Sequence, residues 1–379
     1  MRGHSIIIVF ALGCALLFYV MAGYPLLLKM LARFWRKPVR KGDFLPSVAM
    51  IIPVRNAEAY LRRKLDSVLA LDYPHDLLSV LVISDGSTDE TDAIARSYAA
   101  WDVRLLHVPA GGKAAALNAG IATIRSSEIL VLSEVWQILE VGSVREMVKC
   151  FADPAVGVVS GEVVMHGRGG SVQERNLSMF AQLESWFGDR LSDVDSMLGS
   201  GGPFYAIRRA LMPRIPGDIL LDDSFVAMSA FFRGFRVVVE PAAAAYDDAA
   251  PIDTDFGEKI KAQAGDYQIM KKYPGLLTSL NRMRFHYFSY KVARLLLPFA
   301  LIAIAATSFS LPTRRAVIWA LSVQGVVYLL AIVDRWLGDT SFLKRLSAAA
   351  RTFVATAFAS LCAIAVLFVP AHKLWPNKD

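Results

Sequence analysis

Residues 78–89 read LSVLVISDGSTD, and the pattern of this segment indicates the fold class. It begins with a short apolar run, rich in β-branched side chains, which predicts a buried strand. Asp85 and Gly86 end the run, and a helical pattern follows over residues 88–100. A buried strand, a tight polar turn and a helix, in this order, predict one unit of a parallel α/β sheet.

The same alternation continues on both sides of this stretch, between about residues 46 and 275. Short apolar runs predict further strands at residues 48–54, 103–108, 128–132 and 156–160. Helical patterns fall at residues 59–71 and 113–124. Strands that alternate with helices pack into a mostly parallel α/β sheet. Ligands bind beyond the carboxyl ends of such strands, so the polar residues that close each strand form the candidate site.

The composition predicts that part of the chain lies in a membrane. Hydrophobic residues make up 55% of the 379 residues and charged residues 20%, which is more apolar and less charged than an average globular protein. The net charge of +7 then reflects Lys and Arg at membrane boundaries, and no nucleic-acid-binding motif is visible. The three cysteines lack the spacing of a metal site, a disulfide framework is not expected, and the soluble part reads as cytoplasmic.

The apolar run at residues 6–28 is long enough to cross a bilayer. Basic residues follow it at positions 29, 33, 36, 37, 40 and 41, and the positive-inside rule places them in the cytoplasm. Residues 1–31 are therefore predicted to form an N-terminal transmembrane anchor.

Apolar segments at residues 292–311, 316–333 and 352–369 predict about three C-terminal transmembrane helices within residues 292–371. Arg314 and Arg315 would face outward against the positive-inside rule, so a re-entrant or interfacial segment is the alternative there. Residues 281–297 mix aromatic and basic side chains, which predicts an interfacial amphipathic helix. An ordinary amphipathic helix packed on the soluble domain is the alternative for this last stretch.

Three polar motifs close or open the predicted elements. PVRN at residues 53–56 ends the first strand, and SDGSTD at residues 84–89 ends the second. A carboxylate followed by glycine can hold a nucleoside, although a turn-forming role explains Asp85 equally well. GGK at residues 111–113 opens the next helix, and two glycines with a lysine at a helix N-terminus suit a diphosphate.

The order PVRN, SDGSTD and GGKAAALN resembles the nucleotide-binding half of family-2 glycosyltransferases. The resemblance continues through residues 142–162, 199–209 and 222–241 to Tyr267 and covers nearly all of the soluble part. It implies a GT-A fold over residues 46–275, which is Rossmann-like with a mostly parallel sheet. It also implies inverting transfer of a hexose from a nucleotide sugar, with a UDP-sugar as the expected donor, to a lipid-linked or polysaccharide acceptor.

The resemblance also implies roles for individual residues. Glu134 replaces the first aspartate of the family's Asp-x-Asp motif and would hold Mg or Mn, whereas Trp136 replaces the second acid and cannot be a ligand. Asp223 matches the family's general base, and Asp222 is its acidic neighbour. A plain loop carboxylate and a helix N-terminal acid pair are the structural alternatives for these residues. The expected donor-binding residues are Pro53, Arg55, Asn56, Asp85, Lys113, Ser133 and Lys261.

Departures from the family pattern support a second hypothesis. Ala57 stands where a glutamate is common, and Lys261 with Ala262 replaces the Arg-Trp of the family's Gln-x-x-Arg-Trp motif. Together with Trp136, these losses favour a catalytically impaired pseudo-glycosyltransferase that serves as a partner subunit of an exopolysaccharide synthase complex. The enzyme remains the first hypothesis because the acids and the lysine of the other motifs are retained.

The expected partners are a nucleotide-sugar donor, a lipid-linked or glycan acceptor, membrane lipids and subunits of a synthase complex, with no nucleic acid. The expected location is the bacterial inner membrane, with a multi-pass chain and the catalytic domain in the cytoplasm. This interpretation requires that Asp85, Lys113, Glu134 and Asp223 meet in one pocket at the tips of the central strands.

Overall fold

A computed structural model describes residues 2–165, 179–247, 256–311, 313–337 and 342–374 of the chain. The chain divides into two compact units. The sheet unit consists of Phe34–Leu177, Gln182–Pro251 and Pro370–Asp379. The helical unit consists of Met1–Arg33, Ser178–Ala181 and Ile252–Val369.

The sheet unit is built on an 8-stranded sheet with the strand order β3-β2-β1-β4-β7-β6-β8-β5. The strands are β1 Val48–Val54, β2 Leu78–Asp85, β3 Val103–Val108, β4 Ile129–Leu132, β5 Gln137–Leu139, β6 Val156–Met165, β7 Tyr205–Arg208 and β8 Arg236–Asp247. β1, β2, β3 and β4 are parallel, and β6 is parallel to β8. β7 runs antiparallel to β4 and β6, and β5 runs antiparallel to β8. The predicted mostly parallel α/β sheet is therefore confirmed.

The described helices alternate with these strands or form the helical unit. They are α1 Arg2–Phe18, α2 Tyr24–Phe34, α3 Glu58–Leu69, α4 Thr91–Ser97, α5 Lys113–Thr123, α6 Ser143–Lys149, α7 Met179–Val194, α8 Asp222–Phe232, α9 Phe256–Lys272, α10 Arg284–Tyr287, α11 Ala293–Ser308, α12 Arg314–Val333, α13 Phe342–Ala363 and α14 Ala371–Leu374. Two π-helical segments, Tyr19–Gly23 and Phe288–Val292, join α1 to α2 and α10 to α11.

The core of the sheet unit explains why its central strands read as continuous apolar runs. Val48 and the four residues after it are at most 1% exposed, because layers of helices cover both faces of β1. On one face, α3 contributes Leu61, Leu65 and Val68 to the main hydrophobic cluster. These spacings of four and three residues place one stripe of α3 against the sheet.

Two element boundaries differ from the sequence-based expectation for physical reasons. The fourth helix begins at Thr91 rather than near residue 88, because Asp89 accepts a hydrogen bond from the Thr91 backbone N–H at 3.0 Å. The Thr88 backbone N–H donates instead to the Asn56 side chain at 2.8 Å, so it belongs to a turn. The strand expected at residues 156–160 continues to Met165, since β8 pairs with it through Asp247.

Among the residues that the structure describes, four helices are long and apolar enough to cross a membrane. They are His4–Phe34, Arg284–Ser308, Arg314–Trp336 and Leu346–Leu367. The first is continuous through its π-helical segment, and the second includes much of the stretch at residues 281–297 that was expected to lie at the interface. Length and composition of these helices thus indicate membrane association.

Polar contacts hold the helical unit together at two places. Tyr19 Oη lies 2.7 Å from Ser289 Oγ, and Tyr24 Oη lies 3.1 Å from His286 Nδ1, which ties the first long helix to the second. In the turn after α12, the buried Asp334 pairs with Arg351 and accepts a hydrogen bond from Ser347, which joins α12 to α13. Such paired polar groups satisfy one another where apolar surroundings leave them few alternatives.

Candidate active site

The carboxyl ends of β1, β2 and β4 lie side by side in the sheet. In the parallel register Val54 is opposite Ser84, and Ile51 is opposite Leu132. The residues that follow these strands therefore converge at one edge, where the chain also places the start of α5. The candidate site is assembled at this edge from the loops after the strands and from the first turns of α5 and α8.

Asp85 fixes the turn that leads into α5. Its carboxylate accepts hydrogen bonds from the backbone N–H groups of Gly111 at 2.7 Å and Gly112 at 3.0 Å, and the residue is only 5% exposed. These two amides therefore point at Asp85, which corrects the expectation that the glycine pair itself is free to cradle a diphosphate. These hydrogen bonds hold the two residues that directly precede Lys113, the first residue of α5, while donor binding by Asp85 stays a prediction.

Lys113 bridges two carboxylates that come from different parts of the chain. Its Nζ lies 2.6 Å from Glu134 Oε1 and 3.1 Å from Asp222 Oδ2. Burial alone would lower the pKa of Lys113, but Glu134, Asp222 and Asp223 together raise it above its usual value. Lys113 is therefore a charged ammonium throughout the physiological range.

Asp223 lies beside this bridge in the first turn of α8. One carboxylate oxygen accepts a hydrogen bond from Ser200 Oγ at 2.5 Å, and the other accepts from the Ser224 backbone N–H at 2.7 Å. Burial, followed by the negative charge of Asp222, raises the pKa of Asp223 above the usual aspartate value. A carboxylate with a raised pKa and a fixed orientation is suited to accept a proton near neutral pH.

Glu134 lies in a loop in which the side chains of Ser133 and Gln137 face the protein interior. The Ser133 hydroxyl is buried and contacts Lys64 Nζ at 2.6 Å and Gln137 Oε1 at 3.0 Å. The Ser133 hydroxyl thus makes its described hydrogen bonds below the loop, and its predicted contribution to donor binding stays a prediction. Glu134, 8% exposed, turns the other way and reaches Lys113.

Tyr205 belongs to the same site, although its sequence context gave no sign of it. The residue is 1% exposed on β7, directly opposite Leu132 in the strand that leads to Glu134. Its hydroxyl has no hydrogen-bond partner among the residues that the structure describes. Burial and the charges of Asp222, Asp223 and Glu134, in that order, raise its pKa well above 10, so the hydroxyl keeps its proton.

The residues after β1 lie next to the loop after β2. Asn56 has a backbone φ of 47° and ties the two loops together through Thr88, at 2.8 Å, and Ser87, at 3.1 Å. Arg55 is exposed, and Pro53 is half-buried opposite Ile83. These contacts make Asn56 a residue that shapes the crevice, while donor binding by Pro53, Arg55 and Asn56 stays a prediction.

Lys261 lies on α9 in the helical unit and is half-buried. Its predicted contribution to the donor site stays a prediction. The sheet unit by itself contains the other acidic and basic residues of the candidate site: Asp85, Lys113, Glu134, Asp222 and Asp223. All of these except Asp222 were expected from the sequence to lie in one pocket.

Glu134, Asp222 and Asp223 form an acidic cluster around Lys113, which pairs directly with Glu134 and Asp222. When all four side chains are ionised the cluster has excess negative charge and would repel a diphosphate. Oxygen ligands of this kind suit Mg²⁺ or Mn²⁺, which proteins commonly hold with one or two carboxylates plus substrate phosphates. Glu134 and Asp222 fit such an ion, since both already reach the same cation.

The part of the chain that the structure describes contains no group of three or more His, Cys, Asp and Glu side chains arranged to hold a metal. An ion at Glu134 and Asp222 would therefore need oxygen atoms from a ligand to complete its coordination. The protein groups alone would not form a closed metal site.

The sheet unit has the GT-A fold, and comparisons with known proteins agree. Residues 49–215, somewhat less than half of the chain, match the model of glycosyl transferase family 2. This match confirms the resemblance to family-2 glycosyltransferases seen in the motifs.

Three known proteins illustrate what the chain is similar to. The probable glycosyltransferase YdaM of Bacillus subtilis is 24% identical over 229 residues, which cover 56% of this chain and 52% of YdaM. An uncharacterized glycosyltransferase of Rickettsia bellii is 42% identical over 99 residues, 26% of this chain and 14% of that protein. The mannosyltransferase PcManGT from Pyrobaculum calidifontis, solved with GDP-Man and Mn²⁺, has a TM-score of 0.72 at 22% identity and covers 98% of this chain and 100% of its own.

The matched proteins are covered over different lengths. The chain spans about half the length of YdaM and much less of the Rickettsia protein. The likeness to PcManGT shows the fold, at an identity of 22%. The comparisons thus show the fold and a resemblance to family 2 over residues 49–215, and the reaction of the whole protein is a separate question.

Proposed function

We propose that the chain is an inverting glycosyltransferase that moves a hexose from a nucleotide sugar to a lipid-linked or polysaccharide acceptor at the bacterial inner membrane. One observation carries this proposal: Lys113, Glu134 and Asp222 are in contact beside Asp223 at the strand tips of a GT-A domain. The charged Lys113 at this edge suits the nucleoside diphosphate, which is the leaving group of the transfer.

The donor is assigned to the crevice beyond β1 and β2. The nucleoside would lie along the loops that contain Arg55 and Asn56, with Asp85 keeping the entrance to α5 in place. The diphosphate would then approach Lys113, the first residue of α5. We take a UDP-sugar as the donor from the family resemblance, with GDP-sugars as the comparison because PcManGT was solved with GDP-Man.

The departing diphosphate develops negative charge that the site must neutralise. Lys113 supplies one positive charge from the protein itself. A divalent ion, held by Glu134 and Asp222 when bound, would supply Lewis-acid stabilisation of the same leaving group. The excess negative charge of the acidic cluster is the physical reason to expect such an ion.

Asp223 is assigned as the general base. It would take the proton of an acceptor hydroxyl while that oxygen bonds to the sugar carbon and the bond to the diphosphate breaks. Ser200 and the Ser224 backbone N–H hold the carboxylate in one orientation. Attack from the side opposite the leaving group inverts the anomeric centre. Tyr205 provides a protonated hydroxyl next to these groups.

The membrane assignment rests on the helices and on charge. Four helices have the length and apolarity to cross a bilayer, and the sheet unit follows the first of them directly along the chain. The basic residues at positions 29–41 favour a cytoplasmic sheet unit. An acceptor at the membrane surface, lipid-linked or extended there as a glycan, is consistent with this attachment.

The second candidate is a partner subunit without transfer activity. Trp136, 38% exposed in the loop after Glu134, stands where a metal-binding side chain is expected and favours this alternative. The retained contacts among Lys113, Glu134 and Asp222 favour the enzyme, because a site under no catalytic demand has no need of them. Donor binding without transfer is the result that would select the partner subunit.

The test combines binding and transfer in detergent-purified full-length protein. Calorimetry with UDP, GDP and their sugars, each with Mn²⁺ or with EDTA, measures the donor site. Radiolabelled sugar transfer in membranes then measures the chemistry. We expect Mn²⁺-dependent binding of one nucleotide and transfer of its sugar. Failure of every nucleotide to bind under both conditions would contradict the proposal.

A further inference from the structure

Lys64 is a fully buried lysine directly beneath the loop that carries Glu134. It lies on α3 and is 0% exposed. Its Nζ donates hydrogen bonds to Ser133 Oγ at 2.6 Å and to the Gln137 backbone carbonyl at 2.7 Å. Along α3 it occupies the stripe of Leu61, Leu65 and Val68, where an apolar side chain is the ordinary choice.

The loop from Ser133 to Gln137 closes around this nitrogen. Gln137 Oε1 accepts hydrogen bonds from Ser133 Oγ at 3.0 Å and from the Glu134 backbone N–H at 3.1 Å. The Gln137 backbone N–H donates in turn to the Glu134 carbonyl at 3.2 Å. Lys64 therefore holds both ends of the loop, and Gln137 connects them to the backbone of Glu134.

A buried lysine at position 64 is not expected to make the folded chain more stable than an apolar residue of similar size would. Burial lowers the pKa of Lys64 to about 7, opposed by the charge of Glu134. Replacing buried charged groups with apolar residues of similar size is often neutral or stabilising. What an apolar residue cannot do is donate to Ser133 and to Gln137 and so hold the loop in one conformation.

The geometry places Glu134 between two lysines with different tasks. Lys113 contacts its carboxylate at 2.6 Å on the side of the site. Lys64 contacts the loop on the opposite, buried side. The position of the Glu134 carboxylate therefore depends on the buried hydrogen-bond network as well as on Lys113.

We propose that Lys64 is a positioning residue of the donor site. It fixes the loop from Ser133 to Gln137, so that the Glu134 carboxylate is in place to hold a divalent ion beside the leaving diphosphate. The inference rests on the proposed function for its catalytic consequence. Its structural part, the control of the loop, does not depend on any substrate.

The variant Lys64→Met keeps the length of the side chain and removes the nitrogen. We expect kcat to fall roughly 10- to 100-fold, the range seen when partners that orient metal ligands are removed. The KM for the donor should change by less, because the nucleoside crevice does not involve Lys64. Lys149→Met is the matched control and should leave kcat unchanged, since the Lys149 side chain pairs with Glu146 on α6, outside the loop from Ser133 to Gln137.

A double-mutant cycle shows whether Lys64 acts through Glu134. If it does, Lys64→Met combined with Glu134→Gln should be no less active than Glu134→Gln alone, because residues that act as one unit are not additive. Independent losses that multiply in the double variant would overturn the proposal. Ser133→Ala, which removes one of the two contacts of Lys64, should reproduce part of the loss if Lys64→Met fails to fold.

Hydrogen–deuterium exchange supplies a measurement that needs no substrate. In Lys64→Met or Ser133→Ala the amides of residues 134–137 should exchange faster, while those of the central strands β1 and β2 keep the wild-type rate. Unchanged exchange in residues 134–137 would overturn the positioning role. If the wild type transfers no sugar, the proposed function fails, but the exchange result still decides what Lys64 does.

Discussion

Replacement of Asp223 by asparagine separates the chemistry of the site from its binding. Asn is almost the same size as Asp, and its amide oxygen can still accept a hydrogen bond from Ser200 or from the Ser224 N–H. The change removes one negative charge, and the neutral amide cannot take a proton from the acceptor hydroxyl. Lys113 should remain in place, because its two short contacts are to Glu134 and Asp222.

The expected loss of activity follows from general-base catalysis. A positioned base contributes roughly 100- to 10,000-fold to a rate, which corresponds to about 3–5 kcal/mol of activation free energy. We expect kcat of Asp223→Asn to fall within this range while the Kd for the donor changes less than about threefold. Burial and Asp222 raise the pKa of Asp223. As the pH is lowered, wild-type kcat/KM should therefore begin to fall at a higher pH than it would with an ordinary aspartate as the base.

Although Asp223→Asn should lose activity, its stability at neutral pH should be equal to or higher than that of the wild type. A carboxyl group whose folded-state pKa is raised binds its proton more tightly in the folded chain than in the unfolded one. The wild type therefore loses stability from Asp223 as pH rises from about 4 through the raised pKa. Asn has no such dependence, so Asp223→Asn should unfold at the same or a higher temperature than the wild type at neutral pH.

Three assays of the same preparations check these expectations. Radiolabelled transfer gives kcat, calorimetry gives the donor Kd, and thermal unfolding gives the Tm. Asp76→Asn is the matched control, because Asp76 is exposed at the opposite end of β2. Activity of Asp223→Asn within about threefold of the wild type, or equal losses of activity and donor affinity, would refute the assignment of Asp223 as base.

Further expectations concern the cation site and one turn. Glu134→Gln should weaken donor binding at least tenfold, about 1.4 kcal/mol, in calorimetry with Mn²⁺, and a similar loss in EDTA would argue against an ion there. Lys113→Met should lower kcat roughly 100- to 1,000-fold but tighten Mn²⁺ binding without nucleotide, since the ammonium no longer competes for Asp222; weaker Mn²⁺ binding would contradict this. Gly86→Ala should lower the unfolding free energy by about 1–3 kcal/mol, because Gly86 has a φ of +63° and an added Cβ would lie 2.8 Å from the Ala110 nitrogen. Gly142→Ala, where nothing lies within 4 Å of an added Cβ, is the control, and equal stability of both variants would contradict the reasoning.

Local sequence patterns were sufficient for the parallel half of the sheet. β1 begins and ends where its apolar run does, because a strand covered on both faces needs continuous apolar residues. The bounds of β3 also agree with the expectation, although this edge strand exposes Arg104 and His107. The other half was harder to predict. β5 and β7 are very short, and the pairing of β5 with β8 joins segments about a hundred residues apart. No local pattern encodes such a partner, so these strands appeared only in the structure.

The site shows the same limit at the level of single side chains. The order of motifs predicted that Lys113, Glu134 and Asp223 meet, and they do. The sequence could not tell which side of its loop Ser133 faces, since that depends on the nitrogen of Lys64 below it.

Lys64 itself did leave a signal in the sequence. It interrupts an apolar stripe of α3 at the helical spacing of Leu61, Leu65 and Val68. A lysine on the buried face of an amphipathic helix is costly unless it has hydrogen-bond partners. Next to Arg62 and Arg63, however, it reads as part of an exposed basic turn.

The proposed donor site is checked by a structure of the full-length protein with a bound UDP-sugar and Mn²⁺. An anomalous difference map then identifies and locates the manganese by its own anomalous scattering. We predict one manganese peak at coordination distance from Glu134, with the nucleotide diphosphate next to Lys113 and the sugar facing Asp223. A nucleotide bound away from the tips of β1, β2 and β4, or manganese bound at a site without Glu134, would contradict the account.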